Sequence, residues 1–154
     1  MLESDVETFA AQPWVATSTD AGIALPSDGP EVHPRFYGSF PRKIHHYAGE
    51  RGVISVEGAV RSATSLPAQI MGISGRGMIR EGFAADIVIA DLTRLTDRAT
   101  FQQPHQYSDG IQSVLINGSF VIDDGKPTGT LPGRLIKRSG GRRESPQAGP
   151  AHRP

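Results

Sequence analysis

The residue best placed for chemistry is Asp20, which directly follows the uncharged, β-prone segment 14–19. This composition predicts a buried strand with both faces covered, and the small turn Ala21-Gly22 comes after it. Parallel α/β folds place their catalytic groups at the carboxyl ends of such strands. Asp20 is therefore a candidate catalytic residue. An aspartate here also suits the capping of a turn, and the local pattern leaves both interpretations open.

The histidines do not form a recognisable metal site in the sequence. His45 and His46 are adjacent on a predicted helix, so their rings should point about 100° apart, whereas helical ligand pairs need spacings of three or four. We interpret both as residues of a surface or partly packed helix. His33 and His105 lie beside Pro in predicted loops, where turn and hydrogen-bonding roles are commoner than metal binding. Asp28, in a Pro-rich loop, is interpreted as a turn residue.

Composition and missing motifs exclude several classes of protein. With 154 residues the chain is too short for a whole (β/α)₈ barrel, which needs roughly 250. The absence of Cys excludes disulfides, thiolate nucleophiles and Cys-ligated zinc. The G-x-S-x-G, Walker A, G-x-G-x-x-G and H-E-x-x-H motifs are all missing. No apolar run is long enough to span a membrane, and no leader is recognisable, so a cytoplasmic location is expected.

The elements expected to position Asp20 change from helical to β along the chain. The 18 Gly and 12 Pro favour many turns. Predicted helices cover a short N-terminal segment with a Ser4–Glu7 capping box, then about 42–51, 55–63 and a segment from Leu66, which places Pro67 at the first helical position. Predicted strands cover 83–90, 111–116 and 120–122, with turns at Asn117-Gly118 and Asp124-Gly125.

Charge is distributed unevenly along a chain whose formal net charge is zero. Residues 1–31 contain six acidic side chains and no Lys or Arg, whereas the last residues are basic. Residues 139–154 are rich in Gly, Pro, Ser and Arg, which predicts a disordered tail. Nucleic-acid binding through Arg138, Arg142 and Arg143 is the weakest hypothesis, because no aromatic residues or folded basic face accompany them, and we expect no nucleic-acid partner.

Several longer segments together resemble one family. They are Gln12-Pro13-Trp14-Val15, Thr19-Asp20, His-Pro-Arg-Phe-Tyr-Gly-Ser-Phe-Pro-Arg at 33–42, Gly-Met-Ile-Arg-Glu-Gly-Phe-Ala-Ala-Asp-Ile-Val at 77–88, and Pro-His-Gln-Tyr at 104–107. This set is similar to the carboxy-terminal part of the D-aminoacylases (N-acyl-D-amino-acid deacylases) of the metal-dependent amidohydrolase superfamily. The 77–88 segment indicates only the superfamily, whereas 33–42 and 104–107 are specific to the deacylase branch. The resemblance extends over residues 3–137.

The resemblance implies a fold and roles for particular residues. The fold is α/β, with residues 1–72 forming strand eight and the following helices of a (β/α)₈ amidohydrolase barrel, and 73–138 forming the C-terminal part of a small β-sandwich. Asp20 then matches the aspartate that activates a zinc-bound water as general base and returns the proton to the departing amine. It would also contact the metal. Arg35 matches a position that holds the substrate's carboxylate, with His33 beside it, although His33 and Arg35 alternatively only shape the loop.

The other metal ligands implied by the family are missing from this sequence. The family takes them from a His-x-His pair, a Cys and two later His on earlier strands, and one Asp cannot retain zinc without about two further ligands. We therefore expect an enzyme segment that needs an upstream polypeptide to act on N-acyl-D-amino acids. The alternative is a non-catalytic remnant or β-rich interaction module. DNA upstream of Met1 that encodes His-x-His and Cys ligands would favour the enzyme segment.

Metal analysis of the purified chain tests this interpretation. We expect less than one zinc per chain and no hydrolysis of N-acetyl-D-amino acids, because one carboxylate is too few ligands. Stoichiometric zinc with measurable acyl release would contradict it.

Overall fold

A computed structural model of the chain describes residues 2–136; the predicted tail at 139–154 lies outside the described residues. In chain order the elements are α1 (Glu3–Ala10), a 3₁₀ turn (Pro26–Asp28), α2 (Arg35–Arg42), a π-helical segment (Lys43–Glu50), α3 (Val56–Ala63), α4 (Ser65–Met71), β1 (Ile87–Ala90), β2 (Ile111–Ile116), β3 (Ser119–Asp123) and β4 (Lys126–Pro127). Helices in the first half are thus followed by a small sheet, as the sequence predicted.

The segment 14–19, which the sequence predicts as a buried strand, forms no strand within the described residues. The segment pairs with no other strand among residues 2–136, and Trp14 is 68% exposed rather than buried. A strand needs neighbours for its backbone N–H and C=O groups, and the described residues offer none beside this segment. Its backbone instead bonds to a helix, because the Thr17 amide donates to the Ser62 carbonyl at 2.8 Å.

The helix expected from about residue 42 begins earlier, at Arg35. Pro34 lies at its N-cap position, and Pro41 lies inside it. Proline at the start of a helix costs nothing, but an internal proline removes one backbone donor. Directly after this interruption the helix continues with i→i+5 hydrogen bonds over Lys43–Glu50. Pro34 and Pro41 weaken the local helical signal, so the sequence did not predict the first half of this helix.

Helix caps were predicted with mixed success. Ser55 caps α3 as expected, since its side chain accepts a hydrogen bond from the Gly58 amide at 3.0 Å. The first capping residue is Leu2 rather than Ser4, because Leu2 has the extended backbone and its amide donates to the Asp5 carboxylate at 2.9 Å. Helix α4 begins at Ser65, which makes Pro67 its third residue instead of its first.

The sheet is antiparallel, with strand order β1-β2-β3-β4. Both predicted hairpin turns are present: Asn117 and Gly118 have φ of 49° and 80°, and Asp124 and Gly125 have φ of 47° and 71°. Successive positive φ angles match the right-handed twist of hairpin strands. Strand β1 is shorter than the predicted 83–90, because the Phe83 amide turns back to the Arg80 carbonyl.

A small core joins the helices to the segment before β2. The buried apolar residues are Ala59, Leu66, Ala68, Leu95 and Ala99. Many large apolar side chains remain exposed, including Trp14 (68%), Ile79 (88%) and Val88 (61%). Exposed apolar surface of this extent is typical of a protein that contacts another polypeptide. Within residues 2–136, no helix combines the length and apolar character required to cross a lipid bilayer.

Arg76 connects the segment before β1 to the hairpin. Its guanidinium bonds to the Asp86 carboxylate and the Asn117 side-chain oxygen, while the Asn117 amide donates to Asp86 at 2.9 Å. Burial works to raise the pKa of Asp86, but the hydrogen bonds from Asn117 and Arg76 outweigh it and hold that pKa below its ordinary value. The folded state therefore favours the ionised carboxylate of Asp86.

Replacing Asp86 by Asn should therefore weaken the fold in a pH-dependent way. A depressed pKa adds stability above the ordinary value of 3.8 that is lost as the pH falls through the folded value. We expect Asp86→Asn to lower the free energy of unfolding by roughly 1 kcal/mol at pH 7. The difference should shrink below pH 4, as measured by urea unfolding. Glu81→Gln, in an exposed turn, is the matched control, and equal stability of the two variants at pH 7 would contradict the role of Asp86.

Candidate active site

Asp20 stands at the end of segment 14–19 and forms an ion pair with Arg35. The Arg35 Nη2 and Asp20 Oδ2 atoms are 3.0 Å apart, and the two side chains are 40% and 89% exposed. The backbone at Asp20 is left-handed, with φ of 49°, a conformation that aspartate tolerates better than most residues. The carboxylate therefore projects into solvent beside a guanidinium rather than capping the following turn; Thr19 Oγ1 accepts from the Ala21 amide instead.

His33 joins this group through the backbone of Arg35. The Arg35 amide donates to His33 Nδ1, which accepts at 3.0 Å. The His33 ring also packs edge-on against Phe101, with 5.0 Å between centroids. The structure thus brings together the three residues that the sequence singled out, at the junction between loop 21–34 and helix α2.

Two helix side chains, Lys43 and Ser62, hold the segment that ends at Asp20 by bonding to its Thr17. Lys43 Nζ donates to Thr17 Oγ1 at 2.8 Å, and Thr17 Oγ1 lies 3.1 Å from Ser62 Oγ. Lys43 and Ser62 are both buried. The segment is therefore fixed by helix side chains, which replace the neighbouring strands that it lacks.

Lys43 is buried without a carboxylate partner in the described residues. Among residues 2–136 no salt bridge involves its amine, and burial lowers the pKa of Lys43 below its ordinary value. An ammonium in this position is partly desolvated with one hydroxyl to receive its hydrogen bonds. Sequence reasoning missed this residue, because a lysine in an amphipathic helix is normally exposed.

Tyr37 and His105 form a second group; the sequence predicted a hydrogen-bonding role for His105 in a loop, but it did not predict Tyr37 as a partner. Tyr37 Oη lies 2.8 Å from the Ala24 carbonyl oxygen and 2.8 Å from His105 Nδ1, while His105 Nε2 lies 2.8 Å from the Gly29 carbonyl oxygen. Both residues belong to the segments that carry the family resemblance, which was the only available signal. They contact loop 21–34, which connects Asp20 to Arg35.

The adjacent histidines differ from expectation. In the π-helical segment residues five apart come together, so His45 and His46 both approach Glu50, at 3.6 and 2.6 Å. The hydrogen bond from His46 lowers the pKa of Glu50, with burial opposing and His45 adding to the effect. Their rings thus converge instead of pointing apart. They remain partly exposed, as predicted, and within residues 2–136 they belong to no group of side chains that would hold a metal ion.

A zinc ion does not fit the residues that the structure describes. Within residues 2–136 no three His, Cys, Asp or Glu side chains are grouped so that they could bind a metal, and the charged neighbour of Asp20 is a cation. A catalytic zinc needs about three protein ligands. What the site offers by itself is a carboxylate able to exchange a proton and a guanidinium able to bind a carboxylate through two parallel hydrogen bonds.

Residues 6–122 match the model of the amidohydrolase family. The chain belongs to this family. It is similar to D-aminoacylase from Alcaligenes xylosoxydans xylosoxydans, with 37% identity over 139 residues that make up 90% of this chain and 28% of the relative. The family resemblance seen in the sequence is thereby confirmed.

Solved structures of family members resemble the amidohydrolase chain in fold. A crystal structure of D-aminoacylase matches it with a TM-score of 0.82 and 36% identity, covering 90% of this chain and 28% of that one. N-acyl-D-glutamate deacylase from Bordetella bronchiseptica, in complex with zinc and a phosphonate mimic of the tetrahedral intermediate, matches with a TM-score of 0.72 and 36% identity, covering 82% and 27%. The chain spans about a quarter of the length of the curated relatives it matches.

Replacing Lys43 by an apolar residue tests how the support below Asp20 works. The pKa of Lys43 is lower in the folded state than the ordinary value of 10.5, because burial disfavours the ammonium. At neutral pH the amine is charged in the unfolded state, so burying it on folding costs free energy; this cost disappears at high pH, where the amine is neutral in both states. We expect Lys43→Met to raise the free energy of unfolding at pH 7 by about 1 kcal/mol. The gain should diminish toward high pH.

The comparison is a denaturant series at pH 7 and pH 10, with Lys126→Met in the exposed strand β4 as the matched control. A loss of stability in Lys43→Met at pH 7, with the control unchanged, would mean that the hydrogen bond to Thr17 outweighs the desolvation of the ammonium.

Proposed function

We propose that this chain is the C-terminal segment of a metal-dependent hydrolase that cleaves the amide bond of N-acyl-D-amino acids. The observation that carries the proposal is the pairing of Asp20 and Arg35 at 3.0 Å, at the end of segment 14–19, in a chain that is similar to D-aminoacylase over 90% of its length. Three curated relatives are deacylases of N-acyl-D-amino acids or D-aminoacylase itself.

In this proposal Asp20 moves the proton of the reaction. Water adds its oxygen to the amide carbonyl carbon and loses a proton to the Asp20 carboxylate. The C–N bond then breaks, and Asp20 returns the proton to the departing nitrogen, so a carboxylic acid and an amine are released; the acid then gives its remaining proton to the amine or to water. The 89% exposure of the Asp20 side chain leaves it open to a substrate that lies on this surface. A positioned carboxylate of this kind commonly contributes roughly 10²–10⁴-fold to the rate.

Arg35 is proposed to bind the substrate's free carboxylate. A guanidinium binds a carboxylate through two parallel hydrogen bonds, and Arg35 has only an exposed Asp20 oxygen as its salt-bridge partner among the described residues. An incoming carboxylate would take over the guanidinium and free Asp20 to exchange protons. His33 orients Arg35 through the hydrogen bond between its Nδ1 and the Arg35 amide. His33 is thus a positioning residue in this proposal.

The fold division follows from the same similarity. Residues 1–72 would form strand eight and the helices after it in a (β/α)₈ barrel, and 73–138 would form part of a β-sandwich. Within the described residues all helices fall in the first range and all strands in the second, which supports the division. Segment 14–19 would gain its missing strand neighbours from an upstream polypeptide.

The same upstream polypeptide is proposed to supply the metal ligands. The described residues do not make a zinc site by themselves, whereas a solved relative holds zinc. When bound, zinc would activate water and polarise the amide carbonyl. Asp20 would contribute one ligand to that site, and zinc is not expected to remain on this chain alone.

A β-rich interaction module is the second candidate. Strand β1 is at the edge of the sheet, and its Val88 and Ile89 side chains are 61% and 44% exposed. An apolar edge of this kind favours pairing with another strand, with or without catalysis. This candidate requires binding of an upstream segment but no role for Asp20.

Reconstitution distinguishes the two candidates. The chain would be combined with the Alcaligenes D-aminoacylase truncated before the region that it matches, and acyl release from N-acyl-D-amino acids would be measured together with zinc content. We expect the mixture to hydrolyse the D enantiomers and Asp20→Asn to reduce the rate at least about 100-fold without loss of assembly. Asp28→Asn, eight residues further along, is the matched control. Assembly with equal activity in Asp20→Asn would refute the enzymatic role and favour the interaction module.

A further inference from the structure

Lys43 joins segment 14–19 to the helix that carries Arg35. Its Nζ donates to Thr17 Oγ1 at 2.8 Å, although the two residues are 26 positions apart in the chain. Lys43 directly follows α2 and begins the π-helical segment, so it lies on the same continuous helix as Arg35. The segment and this helix are therefore connected at two places, through Lys43 with Thr17 and through Arg35 with Asp20.

The two connections are spaced so that both can form at once. Thr17 and Asp20 are three residues apart, which corresponds to a span of at most about 11 Å of chain. Arg35 and Lys43 are eight residues apart on the helix, a span of about 12 Å at 1.5 Å per residue. The order of the partners is reversed, so the segment runs antiparallel to the helix. A slip of one residue would move the segment by about 3 Å and break both contacts.

The connection through Lys43 is the better shielded of the two. Asp20 and Arg35 are 89% and 40% exposed, and water weakens such an ion pair. Lys43 and Ser62 are both buried, and Thr17 Oγ1 lies 3.1 Å from Ser62 Oγ, which itself donates to the Ala59 carbonyl oxygen at 2.8 Å. Because water is largely excluded there, this connection fixes the placement of the segment more firmly than the exposed ion pair does.

Helix α3 holds the other side of the segment. Arg61 Nη1 donates to the Pro13 carbonyl oxygen at 2.7 Å, and the Thr17 amide donates to the carbonyl oxygen of Ser62, the next residue of α3. Within residues 2–136, Thr17 is the last residue before Asp20 whose backbone bonds to a helix. Helix α3 thus fixes the path of the segment up to Thr17, and Lys43 fixes its position along the helix of Arg35.

We propose that Lys43 is a positioning residue, which sets the register of segment 14–19 against the helix so that Asp20 meets Arg35. The consequence for activity rests on the proposed function of Asp20 and Arg35, whereas the register itself does not. Because the buried ammonium opposes folding, replacing Lys43 should separate the stability of the chain from the placement of Asp20.

Hydrogen exchange on the full chain tests the register without any catalysis. In Lys43→Met the Thr17 amide should exchange roughly fivefold faster relative to the amides of α3, because the side chain of Thr17 has lost its link to the helix. Thr17→Val removes the hydroxyl at nearly constant shape and should accelerate the exchange of this amide in the same way. Thr17→Ser keeps the hydroxyl, and Lys126→Met lies in the exposed strand β4, so both should exchange as the unchanged chain does.

Kinetics of the reconstituted enzyme test the consequence for Asp20. In Lys43→Met and in Thr17→Val we expect kcat to fall at least about tenfold, because the proton-transferring carboxylate is displaced. KM should stay nearly unchanged, since Arg35 remains on its own helix. The two variants change stability in opposite directions, because Thr17→Val leaves the buried amine without its acceptor, so a shared loss of kcat does not follow from stability. The double variant should be no slower than either single variant, since both remove the same hydrogen bond.

The outcomes are separable. An unchanged exchange rate of the Thr17 amide in Lys43→Met would overturn the proposal, and so would a normal kcat in that variant or effects that multiply in the double variant. Faster exchange of the Thr17 amide together with a reconstitution that shows no turnover for the unchanged chain would support the register and refute the enzymatic role of Asp20.

Discussion

The attachment of segment 14–19 to the helices is the constraint on which the site depends. An extended segment has backbone donors and acceptors that must be satisfied, and no strand among the described residues lies beside this one. The middle of the segment is held through Thr17. Its amide and hydroxyl both bond to Ser62, and its hydroxyl also accepts a hydrogen bond from Lys43. The place where Asp20 emerges therefore follows from the packing of α3 and the π-helical segment.

Local signals account for the parts of the fold that could be predicted. Asn117-Gly118 and Asp124-Gly125 form hairpin turns because their backbone angles are intrinsic to those residue pairs, and Ser55 caps α3 through an amide three residues away. The start of α2 was missed because Pro34 and Pro41 weaken the local helical signal, while contacts from distant residues hold the helix. Gly38, for example, lies so close to residue 97 that an added Cβ would be 2.9 Å from the Asp97 Cβ.

The same distinction applies to the site. Asp20 and Arg35 could be identified because a strand-like segment and a family motif mark them. Tyr37 and His105 are 68 residues apart in the chain, and no local sequence pattern predicts the hydrogen bond between the Tyr37 hydroxyl and the His105 ring. Lys43 was missed for a related reason, since its hydrogen-bond partner Thr17 precedes it by 26 residues.

The exposed ion pair of Asp20 and Arg35 suits the proposed function, in which Arg35 binds either Asp20 or the substrate's carboxylate. Exposed ion pairs gain little, because water solvates both charges and fixing two side chains costs entropy. In the proposed function, an incoming carboxylate would therefore exchange for Asp20 on the guanidinium at a small cost, whereas a buried pair would resist separation. What must not vary is the distance between the two backbones, because a misplacement of 1 Å is enough to slow a reaction about 100-fold. A loop of fourteen residues, 21–34, cannot provide that precision by itself. Hydrogen bonds from Tyr37 in α2 and from His105 hold the middle of the loop, which limits how far its two ends can move apart. The weak ion pair between Asp20 and Arg35 thus lies at the ends of a loop that other contacts hold in place.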